Sequence, residues 1–304
     1  MRDSIASLRH KIGSAQDLES VVRSMKTIAS SSIGQYEKAV RSLDDYYQTV
    51  QLGLVACLSS SDQKIDQPPV VINRSHKNAP AIGVIVFGSD QGLVGQFNET
   101  MVEFVVQSLA KLPGEKTVWA IGERIQSRLL DTELSASLST TFKSDDSFEL
   151  PSSINTISAL VGSILIELEA QRERGDIDKV YIFYHRPESG SAYKPIIQQL
   201  LPLDATWQSN LIDIEWPTNN LPEVMSKRDQ TLRAFVREYL FVSLFRACAE
   251  SLASENASRL AAMQRAEKNI EELQEDLNRT FHRLRQSSID EELFDVLSGF
   301  STLN

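Results

Sequence analysis

The 304 residues hold 41% hydrophobic and 24% charged side chains, an ordinary balance for a folded chain of one or two domains. The net charge of −10 is concentrated in residues 68–222, with 12 basic against 19 acidic side chains, which argues against nucleic acid because phosphates need a concentrated basic face. No apolar run approaches the ~20 residues that span a bilayer, and the opening MRDSIASLRHKIG lacks a signal-peptide core, so the chain is expected to stay where it is made.

All ten prolines lie between Pro68 and Pro222. Proline breaks a helix interior at a cost of about 3 kcal/mol, so both proline-free flanks can be helical throughout. In the first flank (1–58) Ile5, Leu8, Ile12, Ala15, Val22, Ala29, Ile33, Tyr36, Val40, Leu43, Tyr47, Val50 and Leu54 follow a 3-4 rhythm. Glu19 and Lys26 fall on that rhythm, and their neighbours Leu18 and Met25 are expected to take over the stripe. Such a seam buries itself against one partner, and residues 3–58 would make a rod of roughly 80 Å.

Residues 59–80, with a proline pair and polar clusters, read as a linker. The middle (81–217) alternates strand and helix. Strands are expected at Ile82–Phe87, Thr117–Ile121, Lys179–Tyr184 and Lys194–Leu201. Helices are expected at Asn98–Leu112, Glu123–Leu130 and Ile154–Arg174. That alternation implies an open, Rossmann-like α/β sheet.

The last flank (218–304) begins with Asn220 as a cap, Pro222 in the first turn and Glu223 at capping-box spacing. Its seam is Met263, Ala266, Ile270, Leu273, Leu277, Phe281 and Leu284, with Gly299 ending the pattern after a rod on the order of 110 Å. Between cap and seam lie small residues from Ala247 to Ala262, which let helix axes approach closely. Two long ends spaced by a compact middle favour an antiparallel coiled coil of the N- and C-terminal helices.

The segment Gly88-Ser-Asp-Gln-Gly-Leu-Val-Gly-Gln-Phe-Asn98 sits where phosphate loops sit, between a strand and a helix. Its glycines do not make G-x-G-x-x-G, and no Lys-Ser/Thr follows, so a structural or interface turn is the better reading. Asp145, Asp146 and the carboxylates Glu271, Glu272, Glu275 and Asp276 read as solvated faces. His185 has no matched nucleophile, the four histidines form no ligand cluster, and Cys57 and Cys248 read as buried small hydrophobes. The expectation is no catalytic residue, no cofactor and no metal. Arg279, Arg283 and Arg285 suit a helix C-terminus, whereas Arg9, His10 and Lys11 sit at an N-terminus, where positive charge is unfavourable. That mismatch points to an acidic partner surface.

Three blocks in order resemble the γ subunit family of F-type ATP synthases. GSDQGLVGQFN is similar to T-S-D-R-G-L-C-G-G-F/L-N. ASENASRLAAMQRAEKN followed by LRQSSIDEELFDVLSG is similar to the family's C-terminal signature, and RSMKTIASS is a looser match to its N-terminal one. The resemblance implies a non-catalytic rotor shaft, one copy per complex, inside a cage of α and β subunits. Its foot would stand on the c-subunit ring and bind the ε subunit. It would be peripheral, at the cytoplasmic face of the inner (plasma) membrane, and would touch the membrane only through the complex. It implies further that Arg285 and Gln286 engage a β loop near the head, and that Met25 lies where the shaft leaves the cage. Arg9, Lys11, Arg23 and Lys26 are candidates for the acidic β surface, and Ser89, Asp90, Gly92 and Asn98 for the foot. Gly88, Gln91, Val94 and Gln96 depart from the motif, a divergence that resembles the alternate, sodium-translocating branch, although ion choice resides in the c ring. The competing readings are a nucleotide-binding α/β enzyme with helical arms and a free-standing coiled-coil scaffold.

Overall fold

The computed structural model describes residues 4–59, 80–138, 150–188 except 152, 192–203, 207, 211, 214, 216–220, 223–224 and 227–301. The expected linker, apart from its two end residues, lies outside them, as do Pro222, Asp145 and Asp146. The chain forms two compact units, one of residues 1–30 with 259–304 and one of residues 31–258. Two long helices, α1 (Ile5–Ser59) and the last helix of the chain, α5 (Arg228–Ser301), contribute to both.

In the first unit α1 buries Leu8, Ala15, Val22 and Ala29, one side chain every seven residues. A strict seven-residue repeat is the signature of a left-handed coiled coil. From α5, Met263 is buried, and Ala266, Ile270, Leu277, Phe281 and Leu284 are half-buried. Three residues depart from the expected stripe. Leu18 is 55% exposed and Leu273 49% exposed, so neither joins the seam, and Lys26 holds the step expected of Met25. The polar residues keep their steps instead. Glu19 Oε2 accepts from Gln274 Nε2 at 3.0 Å, and Lys26 Nζ lies 2.5 Å from Glu267 Oε2. A polar side chain is tolerated in a seam when its partner sits directly across, because burial then leaves no group unpaired. As the α1 position rises by seven, the α5 position falls by seven, so the pair is antiparallel.

In the second unit four strands form one sheet: β1 (Ile82–Phe87), β2 (Lys116–Ile121), β3 (Lys179–Pro187) and β4 (Tyr193–Leu201), in the order β2-β1-β3-β4. β1 pairs parallel with β2 (Ile82↔Lys116) and with β3 (Ile82↔Lys179), and β4 returns antiparallel along β3 (Pro187↔Tyr193). Alternate side chains face opposite ways, as the strand period requires. Val84, Val86, Tyr181 and Phe183 pack with α2 (Phe97–Leu109) and α3 (Glu123–Leu130). Ile85, Phe87, Ile182 and Tyr184 pack with α4 (Ile154–Arg174) and with the parts of α1 and α5 in this unit. A parallel core covered on both faces explains why β1 is buried at every position.

α1 and α5 also pair here, with Tyr46 donating to Glu238 at 2.7 Å and the rings of Tyr47 and Tyr239 5.8 Å apart. Gly53 permits that approach, since a Cβ there would lie 2.3 Å from the Phe235 ring. The start of α5 departs from the expected cap. Glu223 and Val224 are not helical, and the helix begins at Arg228. Its guanidinium donates to Cys57 O at 2.6 Å and Leu58 O at 3.4 Å, satisfying carbonyls that the C-terminus of α1 leaves open. At the far end Gly299 does not stop the helix, which continues to Ser301.

Candidate functional site

β1 ends at Phe87 and α2 begins at Phe97, so the glycine-rich motif is the turn between them. Gly88 is needed for packing, because a Cβ would fall 2.2 Å from Ile125 of α3. The family's threonine has no room at this position in this chain. Ser89 N donates to Asn98 Oδ1 at 3.0 Å, and Asn98 Nδ2 donates back to Ser89 Oγ at 2.8 Å. Ser89 Oγ closes the turn by donating to Gln91 O at 2.9 Å. The two oxygens of Asp90 accept from Glu123 N at 3.0 Å and Leu150 N at 2.7 Å. A carboxylate at the first residues of α3 satisfies an open N–H and suits the positive end of the helix.

Of the four candidates in this motif, Ser89 and Asn98 are buried and hydrogen-bonded to each other, so they hold the turn and present nothing outward. Asp90 and Gly92 are half-buried, and Asp90 is committed to two backbone donors. The outward face belongs to Gln91, Leu93 and Gln96. Leu93 carries a positive φ of 62° and is 62% exposed, an unusual placement for a large apolar side chain.

The carboxyl ends of β1 and β3 flank the switch point of the sheet, since α2 leaves on one face and α4 covers the other. Open sheets bind nucleotides in that crevice. Here it is filled. Phe97 lies 4.2 Å from the ring of His185 and 5.4 Å from that of Tyr193, and His185 and Tyr193 meet edge-on at 4.9 Å. His185 is fully buried, and burial pushes its imidazole down to about 3, so it stays neutral. Neither of its ring nitrogens has a hydrogen-bond partner among the described residues. A neutral imidazole enclosed by two aromatic rings is a packing element, and among the described residues the geometry offers no cradle for a phosphate.

The C-terminal block meets this motif in space. Ser258 Oγ of α5 donates to Val94 O at 2.5 Å and lies 3.2 Å from the Tyr193 hydroxyl. One turn earlier Ser254 Oγ donates to His185 O at 3.2 Å. The small residues of α5 thus let the helix approach close enough for its serines to bond to sheet and turn. Sequence reasoning missed Ser254, Ser258 and Tyr193. The available signal was the four-residue spacing of polar side chains inside an otherwise small, apolar stretch.

In the unit formed by the helix ends, Arg9 lies 5.6 Å from the centre of the Phe281 ring. It therefore shares one end of the pair with Arg285 and Gln286, both exposed one turn further along α5. Met25 lies more than two heptads away and is half-buried. Arg23 pairs with Glu19, and Lys26 with Glu267, so Lys26 is engaged across the seam. Lys11 is exposed. Leu18, Val21 and Ile28, at 55%, 57% and 66% exposed, continue the Met25 face as a second apolar stripe beside the seam. On α5, Ile289, Leu293, Phe294, Val296 and Leu297 are exposed as well. Continuing the register places the described start of α1 opposite the beginning of that stretch.

The family model described as ATP synthase matches residues 4–303. A protein named ATP synthase gamma chain from Polynucleobacter asymbioticus is 26% identical over 301 residues, covering 97% of this chain and 98% of its own. Its namesake from Anaeromyxobacter is 25% identical over 317 residues, covering 99% of each. Among solved structures, a chain of the rotor of the Euglena gracilis mitochondrial ATP synthase superposes with a TM-score of 0.62 at 15% identity, over 94% of this chain and 98% of that one. A chain of the central stalk and c-ring structure of the Tetrahymena thermophila enzyme gives 0.52 at 20% identity, over 81% and 99%.

Proposed function

The chain belongs to the ATP synthase γ-chain family, and we propose on that premise that it turns as the central rotor shaft between the α/β head and the c-subunit ring. The observation that carries the reading is the antiparallel register of Glu19 with Gln274 and Lys26 with Glu267. The seam of the helix ends is closed within one chain, so a second copy is not needed to bury it. A free-standing dimeric scaffold would need an open seam. What stays open is the outer face, and that is where a cage would grip.

In this reading the cage is made of α and β subunits, ε binds at the foot, and one copy serves each complex. Arg285 and Gln286 face a β loop near the head, and Arg9, Lys11, Arg23 and Met25 face the β surface along α1. Leu18, Val21 and Ile28 extend that contact. Lys26 contributes indirectly, through its hold on Glu267. At the foot the contact falls to Gln91, Leu93 and Gln96, with Ser89, Asp90, Gly92 and Asn98 shaping the turn behind them. In this reading the chain is a non-catalytic subunit, which the packing of Phe97 against His185 at the switch point supports among the described residues. It is peripheral on the cytoplasmic face of the membrane, and no helix among the described residues is long and apolar enough to cross one. Rotation of one asymmetric shaft changes which β subunit meets which face, which is allostery by differential contact.

The test is co-purification from cells that express this chain with its cognate α and β subunits. Recovery of an α/β complex with one copy of the chain supports the reading, and recovery of the chain as a homodimer without them overturns it. In the assembled complex Arg285→Ala with Gln286→Ala should lower ATPase activity or coupling. Normal turnover and pumping in that variant removes the head contact.

A further inference from the structure

α5 carries polar side chains at four-residue intervals: Glu250, Ser254 and Ser258 reach the sheet or the turn after β1, and Arg246 reaches α1. Glu250 is the centre of that row. Its side chain is 6% exposed and accepts from Arg186 Nε of β3 at 3.1 Å and from Arg246 Nε at 2.8 Å. Arg186 Nη2 donates to the Tyr184 hydroxyl at 2.5 Å, and its guanidinium lies 5.6 Å from the centre of the Tyr184 ring. Arg246 Nη1 reaches Asp44 Oδ1 of α1 at 3.3 Å. One carboxylate therefore joins β3, α5 and α1.

The surrounding contact has a different character. The core shared by the strands and the two helices is apolar, and α5 supplies it with small groups such as Ala247, Cys248 and Ala249 beside larger ones such as Leu244 and Leu252. Apolar burial is non-directional: it opposes separation of the layers and resists sliding only through the interlocking of side-chain shapes. A charge-assisted bond with a fixed donor fork opposes both, and its attraction grows where water is excluded. Burial alone would lower both guanidiniums. Tyr184 and Glu250 outweigh it and raise Arg186, and Glu250 with Asp44 outweigh it and raise Arg246.

We infer that Glu250 is a positioning residue for torque: through Arg186 and Arg246 it fixes the strand layer against α5 and α1, so that load on the sheet passes into the helices without slip. This rests on the rotor-shaft reading above. Loss of the contact should leave ATP hydrolysis at the head running while part of each step is lost between sheet and helices.

The experiment compares wild type, Glu250→Gln, Arg186→Gln and the double variant in complexes reconstituted with the full chain in vesicles. ATP hydrolysis and ion uptake are measured on the same preparation. The expected result is hydrolysis per assembled complex within about twofold of wild type, with ions moved per ATP reduced by about twofold or more. The double variant should be no worse than the stronger single one, because both remove one contact. Arg186→Lys should restore part of the ratio. Should Glu250→Gln fail to fold, Arg186→Gln decides, since its side chain is 44% exposed and its removal opens no cavity in the core. An unchanged ratio in every variant that assembles overturns the inference while leaving the rotor reading intact. So does a proportional fall in hydrolysis and pumping together. Failure of the wild-type chain to assemble with α and β overturns both.

Discussion

Lowering the pH should destabilise the sheet-containing unit through His185, and replacing His185 with phenylalanine should remove that sensitivity. The imidazole is fully buried between Phe97 and Tyr193, and burial pushes it from its ordinary value of 6.5 down to about 3. In the unfolded chain it regains the ordinary value. Between 6.5 and 3 the unfolded state takes up a proton that the folded state refuses, so falling pH favours unfolding. The stability is fully present above 6.5, declines as pH falls through that window and levels off below about 3. At about 1.4 kcal/mol per pH unit, the loss from pH 7 to pH 5 is about 2 kcal/mol from this one group.

The assay is urea unfolding of the full chain followed by tryptophan emission. Trp119, Trp207 and Trp216 all lie in residues 31–258, so the signal reports the unit that contains His185. Other groups titrate too, so the informative quantity is the difference between wild type and His185→Phe. Phenylalanine suits an aromatic site and leaves no ring nitrogen without a partner, which should make the variant at least as stable at pH 7. Between pH 7 and pH 5 it should lose about 2 kcal/mol less than wild type. Equal losses in the two chains would refute the argument and would mean that the folded protein admits the proton.

Two further outcomes follow from packing. Lys26→Ala should cost about 1 kcal/mol, because it leaves Glu267 in the seam without its partner, and adding Glu267→Gln should recover part of that. Hydrogen exchange of α5 amides from Met263 to Gln274 reads the effect locally, and protection equal to wild type would count against the pair. Gly53→Ala should destabilise by about 1–3 kcal/mol because its Cβ meets the Phe235 ring. Adding Phe235→Leu should relieve the clash in a urea titration, and an additive double variant would show that the ring is not the cause.

The helices and strands could be read from the chain because their signals are periodic and local. Ile82–Phe87 is buried at every position, as its unbroken apolar run implied. The assignment of faces was harder. α1 carries two apolar stripes, one through Leu8, Ala15, Val22 and Ala29 and one through Leu18, Val21, Met25 and Ile28, and a single chain does not say which of them meets α5. Hydrophobicity favoured Leu18 and Leu273 for the seam, and the tertiary pairing of Glu19 with Gln274 prevailed because each polar group found its partner across the interface. The motif Gly88–Asn98 was legible as a turn. That Ser89 and Asn98 close on each other was not, since it depends on side chains nine residues apart meeting through the geometry of a strand end.

The polar layers also explain how the seam keeps one register. Its apolar positions recur at heptad spacing, so sliding the helices by one heptad would again set apolar groups against apolar groups. It would change the charges a great deal. A slip of seven one way sets Glu19 against Glu267, two carboxylates in a partly dry layer. The opposite slip sets Lys26 against Gln274 and leaves Glu267 without a cation. Either slip exchanges a matched pair for a repelled or unpaired one, the device by which a polar position fixes alignment in a coiled coil at some cost in stability. For a shaft under torque that alignment outweighs the cost, because a single-valued register fixes Arg285 and Gln286 on α5 relative to Arg9 and Lys11 on α1, as the contacts proposed above require.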